Sequence, residues 1–367
     1  MRVVVDVTAV PAQPAGAGRY VLRLVAALTA EAEVDLALVA RTDDEDRWRE
    51  LAPLASVAAE APPERPLRLL WEQTKAPRLA RSLGADVWHG PHYTMPLRSR
   101  VPAVVTIHDL TMIDHPEWHE RSKARFFPRM IKAASRRAAA LVCVSQPTAD
   151  RLHELFHPEV PVLVAPHGVD TDLFTPRDPG TDHRLLQQHG VRSPYVVFVG
   201  TIEPRKNLPA LVAAVAALPD VQLVLAGRRG WGADAVDAAI AEHDMAGRVV
   251  QAGFVDDGVV TALYRQADAV VYATLAEGFG LPAVEALACG APLVTSAGTV
   301  MQSLVGDAAL LVEPTDVGAL RSAIEATIAG GPEVDARRRR GPAVAAEHSW
   351  AASARRHVEA YRLASAR

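Results

Sequence analysis

The chain is short of cysteine, of long apolar runs and of excess charge, and each shortage removes a class of function. Its 367 residues include two cysteines. Cys143 lies in ALVCVS and Cys289 in EALACGAP, both apolar runs, with no CxxC pair and no histidine cluster beside them. That pattern argues against a disulfide scaffold or a cysteine metal site and predicts buried free thiols in a reducing compartment. No uninterrupted apolar stretch reaches the roughly 18 residues of a membrane-spanning helix. The N-terminal MRVVVDVTAV lacks the longer apolar segment and cleavage site of a signal peptide and reads as a first strand. The formal net charge of −4 is opposite to the basic balance of nucleic-acid-binding domains, so no nucleic-acid partner is expected. No repeat or low-complexity tract is evident. The expected location is the cytoplasm.

What is present is an ordinary globular composition, 49% hydrophobic and 22% charged. The length exceeds that of a typical single core, so two domains are expected. Short β-branched runs at 3–7, 34–40, 86–90, 103–109 and 140–145 alternate with alanine- and leucine-rich stretches of helical spacing. This predicts an α/β fold with a parallel sheet covered by helices. The segment 167–183 (HGVDTDLFTPRDPGTDH) reads as a linker, after which the alternation restarts at 195–200, 221–227, 248–254, 269–274, 291–296 and 308–314. The predicted organisation is one doubly wound domain over 1–178, a second over 179–347, and a final amphipathic helix in 348–367 that crosses back to the first. Its apolar candidates are Trp350, Val358, Tyr361 and Leu363. In doubly wound sheets, ligands lie beyond the carboxyl ends of the strands.

The most informative motif is EGFGLPAVE, 277–285. Gly278 and Gly280 permit a sharp turn and close approach of a ligand to the backbone, and Pro282 suits the first turn of a helix. A loop is therefore predicted to feed a helix starting near Leu281 or Pro282. A helix start favours phosphate, and the flanking carboxylates Glu277 and Glu285 favour paired hydroxyls. A ligand carrying both groups is a nucleotide sugar.

FVGTIEPRKNL (198–208) follows a strand and opens another helix, with Arg205 and Lys206 in the turn. Cations oppose the dipole at a helix N-terminus, which favours a role against an anionic ligand such as a diphosphate over an incidental one. Gly16 and Gly18 in GAGRY give a loop able to approach a ligand, although two glycines make a poor dinucleotide fingerprint. His108 in TIHDL stands at a strand end, as a functional or a satisfied structural histidine. His89 and His92 in HGPHY are candidates to line an acceptor pocket. The basic stretch 118–137 interleaves Phe126, Phe127, Met130 and Ile131 at helical spacing. Its apolar stripe faces either its own core, the favoured alternative, or a membrane surface, which leaves peripheral contact with the inner face of the plasma membrane open.

Together VGTIEPRKN, the segment 253–296 and SWAASARRHVEAY resemble the retaining glycosyltransferases of family 4, over nearly the whole chain. The resemblance is nearest to bacterial mannosyltransferase-like enzymes of polysaccharide or glycolipid assembly. It implies the GT-B fold, two Rossmann-like domains facing a cleft, with the acceptor on the first and the nucleotide-sugar donor on the second. It also implies roles. Glu285 accepts from the ribose and Glu277 from the donor sugar. The Phe279, Gly280 and Leu281 amides contact sugar and phosphate. Arg205 and Lys206 hold the diphosphate, the backbone near Phe254 and Val255 meets the base, His108 lies against the sugar, and Gly16 approaches the phosphates. GDP-mannose is the favoured donor, used as a substrate, and a glycan or lipid-linked hydroxyl the acceptor. No cofactor is expected, and no metal, because no DxD-like pair occupies this rim. Three departures stand out: Thr201 after Gly200 where many relatives carry arginine, His167 in place of asparagine, and Ala273-Thr274 in place of Pro-Ser. A GT-B nucleotide-sugar epimerase or hydrolase and a non-catalytic sugar-nucleotide-binding partner are the competing classes.

Overall fold

The computed structural model describes residues 1–366 and divides into two compact units, Met1–Gly168 with Trp350–Arg367, and Val169–Ser349. Residues 169–178, assigned above to the first domain, belong to the second. The reason is side-chain attachment: Asp178 accepts from Gln266, and the Phe174 ring lies 6.3 Å from that of Tyr264.

The first unit holds a seven-stranded parallel sheet. Its strands are β1 (Arg2–Asp6), β2 (Asp35–Arg41), β3 (Ser56–Ala61), β4 (Val87–Gly90), β5 (Ala103–Ile107), β6 (Ala140–Cys143) and β7 (Val162–Val164), in the order β3-β2-β1-β4-β5-β6-β7. Both faces are covered, so the central strands are mostly apolar, with His89 and Thr106 among the buried polar exceptions. Alternation along β1 assigns the layers. Val3 and Val5 pack with Tyr20, Leu24, Ala354, Val358 and Tyr361, whereas Val4 packs with Trp88, Ile107, Phe127 and Ile131. The C-terminal helix, Trp350–Ser365, thus covers one face of this sheet, with Leu363 left exposed.

The helix Arg121–Arg137 belongs to the opposite layer. It buries Phe127, Met130, Ile131 and Ala134 and exposes Arg121, Arg125, Arg129, Lys132 and Arg136. The apolar stripe that a membrane would need is already inside the core, which corrects the reading in which it inserts into an interface. No helix of the described residues is long and apolar enough to cross a membrane.

The second unit has six parallel strands: β8 (Tyr195–Val199), β9 (Gln222–Ala226), β10 (Val249–Gly253), β11 (Ala269–Tyr272), β12 (Leu293–Ser296) and β13 (Leu310–Val312), in the order β10-β9-β8-β11-β12-β13. From β8 the chain builds outward to β10, then returns to place β11 on the other side of β8. The order therefore reverses between β8 and β11, and loops leaving adjacent strands part there to opposite sides, opening a crevice for ligands. In the first unit the same reversal lies between β1 and β4. Cys143 and Cys289 are buried free thiols, which burial pushes up to about 12.

Candidate active site

At the reversal point of the second unit, two loops carry the charged residues. After β8, Gly200 leads through Ile202 to a short 3-10 turn, Pro204–Lys206. Asn207 then adopts left-handed geometry (φ 57°), anchored by a 2.6 Å hydrogen bond from its Nδ2 to the Pro314 carbonyl, and the helix Leu208–Ala216 begins. After β11 comes the glycine turn, tied to the first loop by Leu275 N donating to the Arg205 carbonyl at 2.8 Å.

These loops bring Arg205, Lys206 and Glu277 into one buried cluster. Arg205 Nη1 donates to Glu277 Oε2 at 2.6 Å, and Lys206 Nζ pairs with Glu277 Oε1. Lys206 also donates to the Tyr272 hydroxyl at 2.6 Å, which in turn donates to Glu277 Oε1 at 3.0 Å. Arg205 Nε reaches Glu203 at 3.2 Å. The Lys206 and Glu277 side chains are 6% and 7% exposed. Burial pushes the Glu277 carboxyl up, but Arg205 and Lys206 outweigh it and hold the group below the usual carboxylate range. A carboxylate offers about four lone-pair positions. Arg205, Lys206 and Tyr272 take three of those on Glu277, which holds two cations in place. Tyr272 was not among the expected site residues; a lone hydroxyl at the end of an apolar strand was its only signal.

The helix predicted near Leu281 spans Leu281–Ala288. Gly280 precedes it at φ 109°, and a Cβ there would stand 2.5 Å from Met301 Sδ. The positive φ therefore favours glycine here, and a larger residue would also displace the end of the Met301 side chain. Phe279 is buried, its ring edge-on to His348 at 5.6 Å. Glu285 is buried one turn into the helix. Phe254, just beyond β10, is 42% exposed, and Val255 is partly buried.

In the first unit Gly16 caps the helix Ala17–Leu28 at φ 48°. His108 follows β5, and its Nε2 must donate to the Pro91 carbonyl, 2.8 Å away. Nδ1 is then the unprotonated acceptor, and burial keeps the ring below its ordinary pKa. Tyr20 packs edge-on to His108 at 4.9 Å and His167 lies 5.8 Å from it. His92 is largely buried, with its ring 5.8 Å from that of His108.

His89 is different. It is fully buried, with Nε2 2.9 Å from Thr106 Oγ1 and Nδ1 2.8 Å from Tyr361 OH. The protons along this network follow from one carbonyl. Ser353 O can only accept, so His357 Nδ1 donates to it at 2.7 Å and its Nε2 accepts from Tyr20 OH at 2.8 Å. Tyr20 then accepts from Thr106 at 3.0 Å, Thr106 from His89 Nε2, and His89 Nδ1 from Tyr361. Both nitrogens of His89 are satisfied inside the unit. It is a structural histidine, which corrects its expected place in an acceptor pocket.

No group of three or more His, Cys, Asp or Glu side chains arranged to share a metal ion occurs among the described residues.

Two Rossmann-like parallel-sheet units, with a cation-carboxylate cluster at the reversal point of the second, define a GT-B glycosyltransferase. The family model for glycosyl transferases group 1 matches residues 184–343, and that for Glycosyltransferase Family 4 matches 14–173. The O-antigen chain mannosyltransferase B of Escherichia coli is 30% identical over 283 residues, 76% of this chain and 74% of the relative. A D-inositol 3-phosphate glycosyltransferase of a Mycobacterium species is 32% identical over 250 residues, 64% of this chain and 55% of the relative. Among solved structures, the sucrose-phosphate synthase of Thermosynechococcus elongatus superposes with a TM-score of 0.82 at 23% identity, covering 99% of this chain and 98% of the other. Anabaena HepE, solved with UDP and glucose, gives a TM-score of 0.79 at 21% identity, covering 98% of both chains. The chain belongs to the family 4 glycosyltransferases, a mannosyltransferase-like member.

Proposed function

We propose that this glycosyltransferase moves a hexose, mannose in the favoured case, from a nucleoside-diphosphate sugar to a hydroxyl of a glycan or lipid-linked acceptor, with retention at the anomeric carbon. The supporting observation is the cluster at the reversal point: Arg205 and Lys206 held by Glu277, close in sequence to the start of the helix Leu281–Ala288. The relative's name supports mannose, and GDP-mannose follows as the first donor to test.

The chemistry needed from the protein is electrostatic. As the glycosidic bond to the diphosphate breaks, negative charge grows on the leaving oxygen. Fixed cations and free helix amides stabilise that charge without reorganising. The Phe279, Gly280 and Leu281 amides, Arg205 and Lys206 take this role. Glu285 receives the ribose hydroxyls, and Phe254 and Val255 flank the base. Glu277 also receives a sugar hydroxyl. In the first unit, His108 offers an unprotonated Nδ1 to a substrate hydroxyl. The acceptor proton passes to the departing phosphate oxygen, so no side chain is required as general base.

A thermal-shift panel of nucleotide sugars tests the donor. A ligand selective for the folded state raises the melting temperature. GDP-mannose is expected to give the largest rise, and a panel in which no nucleotide sugar stabilises the protein contradicts the reading.

A further inference from the structure

Arg228 stands two residues beyond β9, between the loop bearing Lys206 and the strand end leading to Phe254. Its backbone is pinned on both sides. Ile202 N donates to the Arg228 carbonyl at 2.9 Å, and Gly230 N donates to the Ile202 carbonyl at 2.9 Å. Gly227 N, one residue before, donates to the Gly253 carbonyl at 2.7 Å. The flanking glycines allow this close fit. A Cβ on Gly227 would stand 1.9 Å from the Gly200 carbonyl oxygen, and one on Gly230 2.8 Å from that of Ile202. The Arg228 main chain therefore lies flush against the Gly200–Glu203 segment that positions Arg205 and Lys206.

Its side chain differs from those of several other arginines of this unit. Arg229 is tied to Asp234 and Asp237, Arg205 to Glu203 and Glu277, Arg265 to Asp182, and Arg248 to main-chain carbonyls. Arg228 is half-buried, and its Nε is enclosed with no acceptor among the described residues. A buried, unsatisfied donor on a charged group is costly, and such atoms call for an explanation where they occur. The local charge balance supplies one. Arg205 and Lys206 already face Glu203 and Glu277, so an incoming diphosphate meets two cations matched by two carboxylates. Among the described residues, Arg228 has no carboxylate partner, whereas Arg205, Lys206 and Arg229 each have one.

We infer that Arg228 binds a phosphate of the donor, on the nucleoside side of Lys206, through the planar fork that suits phosphate oxygens. This rests on the nucleotide-sugar reading given above.

The test is calorimetric titration of the full chain with GDP and with guanosine, UDP and uridine run in parallel, for the wild type, Arg228→Gln and Arg228→Lys. Melting temperatures without ligand confirm that each variant is folded. The expected result is wild-type binding of a nucleoside diphosphate, weakened roughly tenfold to a hundredfold in Arg228→Gln, since a bond to a charged group is lost. Binding of the nucleoside alone stays the same, and Arg228→Lys recovers part of the loss. If Arg228→Gln fails to fold, Arg228→Lys carries the test: a lysine retains charge without the fork and still weakens the diphosphate selectively. A folded Arg228→Gln that binds the diphosphate like the wild type overturns the inference, as does an equal loss for the nucleoside, which would place Arg228 on the base. A wild type that binds neither diphosphate overturns the donor reading itself, a separate failure visible before any variant is made.

Discussion

Glu277 receives Arg205 on one carboxylate oxygen, at 2.6 Å, and Lys206 on the other, although 72 and 71 residues separate it from these partners. The pairing exists because β8 and β11, which carry the two loops, are neighbours in the sheet. The two strongest sequence motifs are thus halves of one object.

Removing the carboxylate tests that pairing. Glu277→Gln leaves Lys206 and Arg205 with an amide in place of a charge, and breaking a buried pair from one side costs about 3–5 kcal/mol. Urea denaturation is expected to show a loss of that order together with a collapse of glycosyl transfer. Unchanged stability would mean that the cluster is not preassembled in solution.

The buried histidine network predicts a variant with the opposite profile. Tyr361→Phe removes the hydroxyl that donates to His89 Nδ1 and strands that nitrogen. The expected cost is about 1–3 kcal/mol of stability, with donor affinity unchanged in a titration. A selective loss of donor affinity would return His89 to the binding machinery.

Five histidines of the first unit favour the neutral form. Burial lowers His357 to about 4 and His92 to about 3, and it also lowers His89, His108 and His167 below the ordinary 6.5. The unfolded chain takes up these protons near pH 6.5 and the folded chain does not. Their contribution is therefore complete above that pH and is lost as pH falls toward the folded values, at about 1.4 kcal/mol per pH unit for each group. Glu72, pushed up to about 8 by burial and Asp6, acts in the opposite sense, as does the raised Asp6, but these are two carboxyls against five imidazoles. Urea midpoints are expected to fall between pH 7 and pH 5. A flat profile would show that the imidazoles are solvated.

Much of this architecture was legible in the chain. The helix start at Leu281, the turn at Arg205 and Lys206 and most strands follow from local patterns, because buried parallel strands are continuous apolar runs and glycines mark tight turns. The strands left unread, β3 and β7, are the two edges of the first sheet. SVAAEA is partly exposed and alanine-rich, and VLV is three residues long, so neither carries the signature of a central strand. His89 shows the other limit. A histidine at a strand end looks the same in sequence whether it faces a ligand or, as here, a tyrosine 272 residues away. The neutralisation of Arg205 and Lys206 by Glu277 was equally hidden, since it depends on strand order.

The most direct test of the account is transfer from GDP-mannose to a hydroxyl acceptor by purified Lys206→Ala and Glu285→Ala proteins whose folding is verified by circular dichroism. The donor site described here predicts that each loses roughly a hundredfold or more in turnover, as expected when a fixed electrostatic or positioning contact is removed. Turnover at the wild-type rate by both folded variants would contradict it.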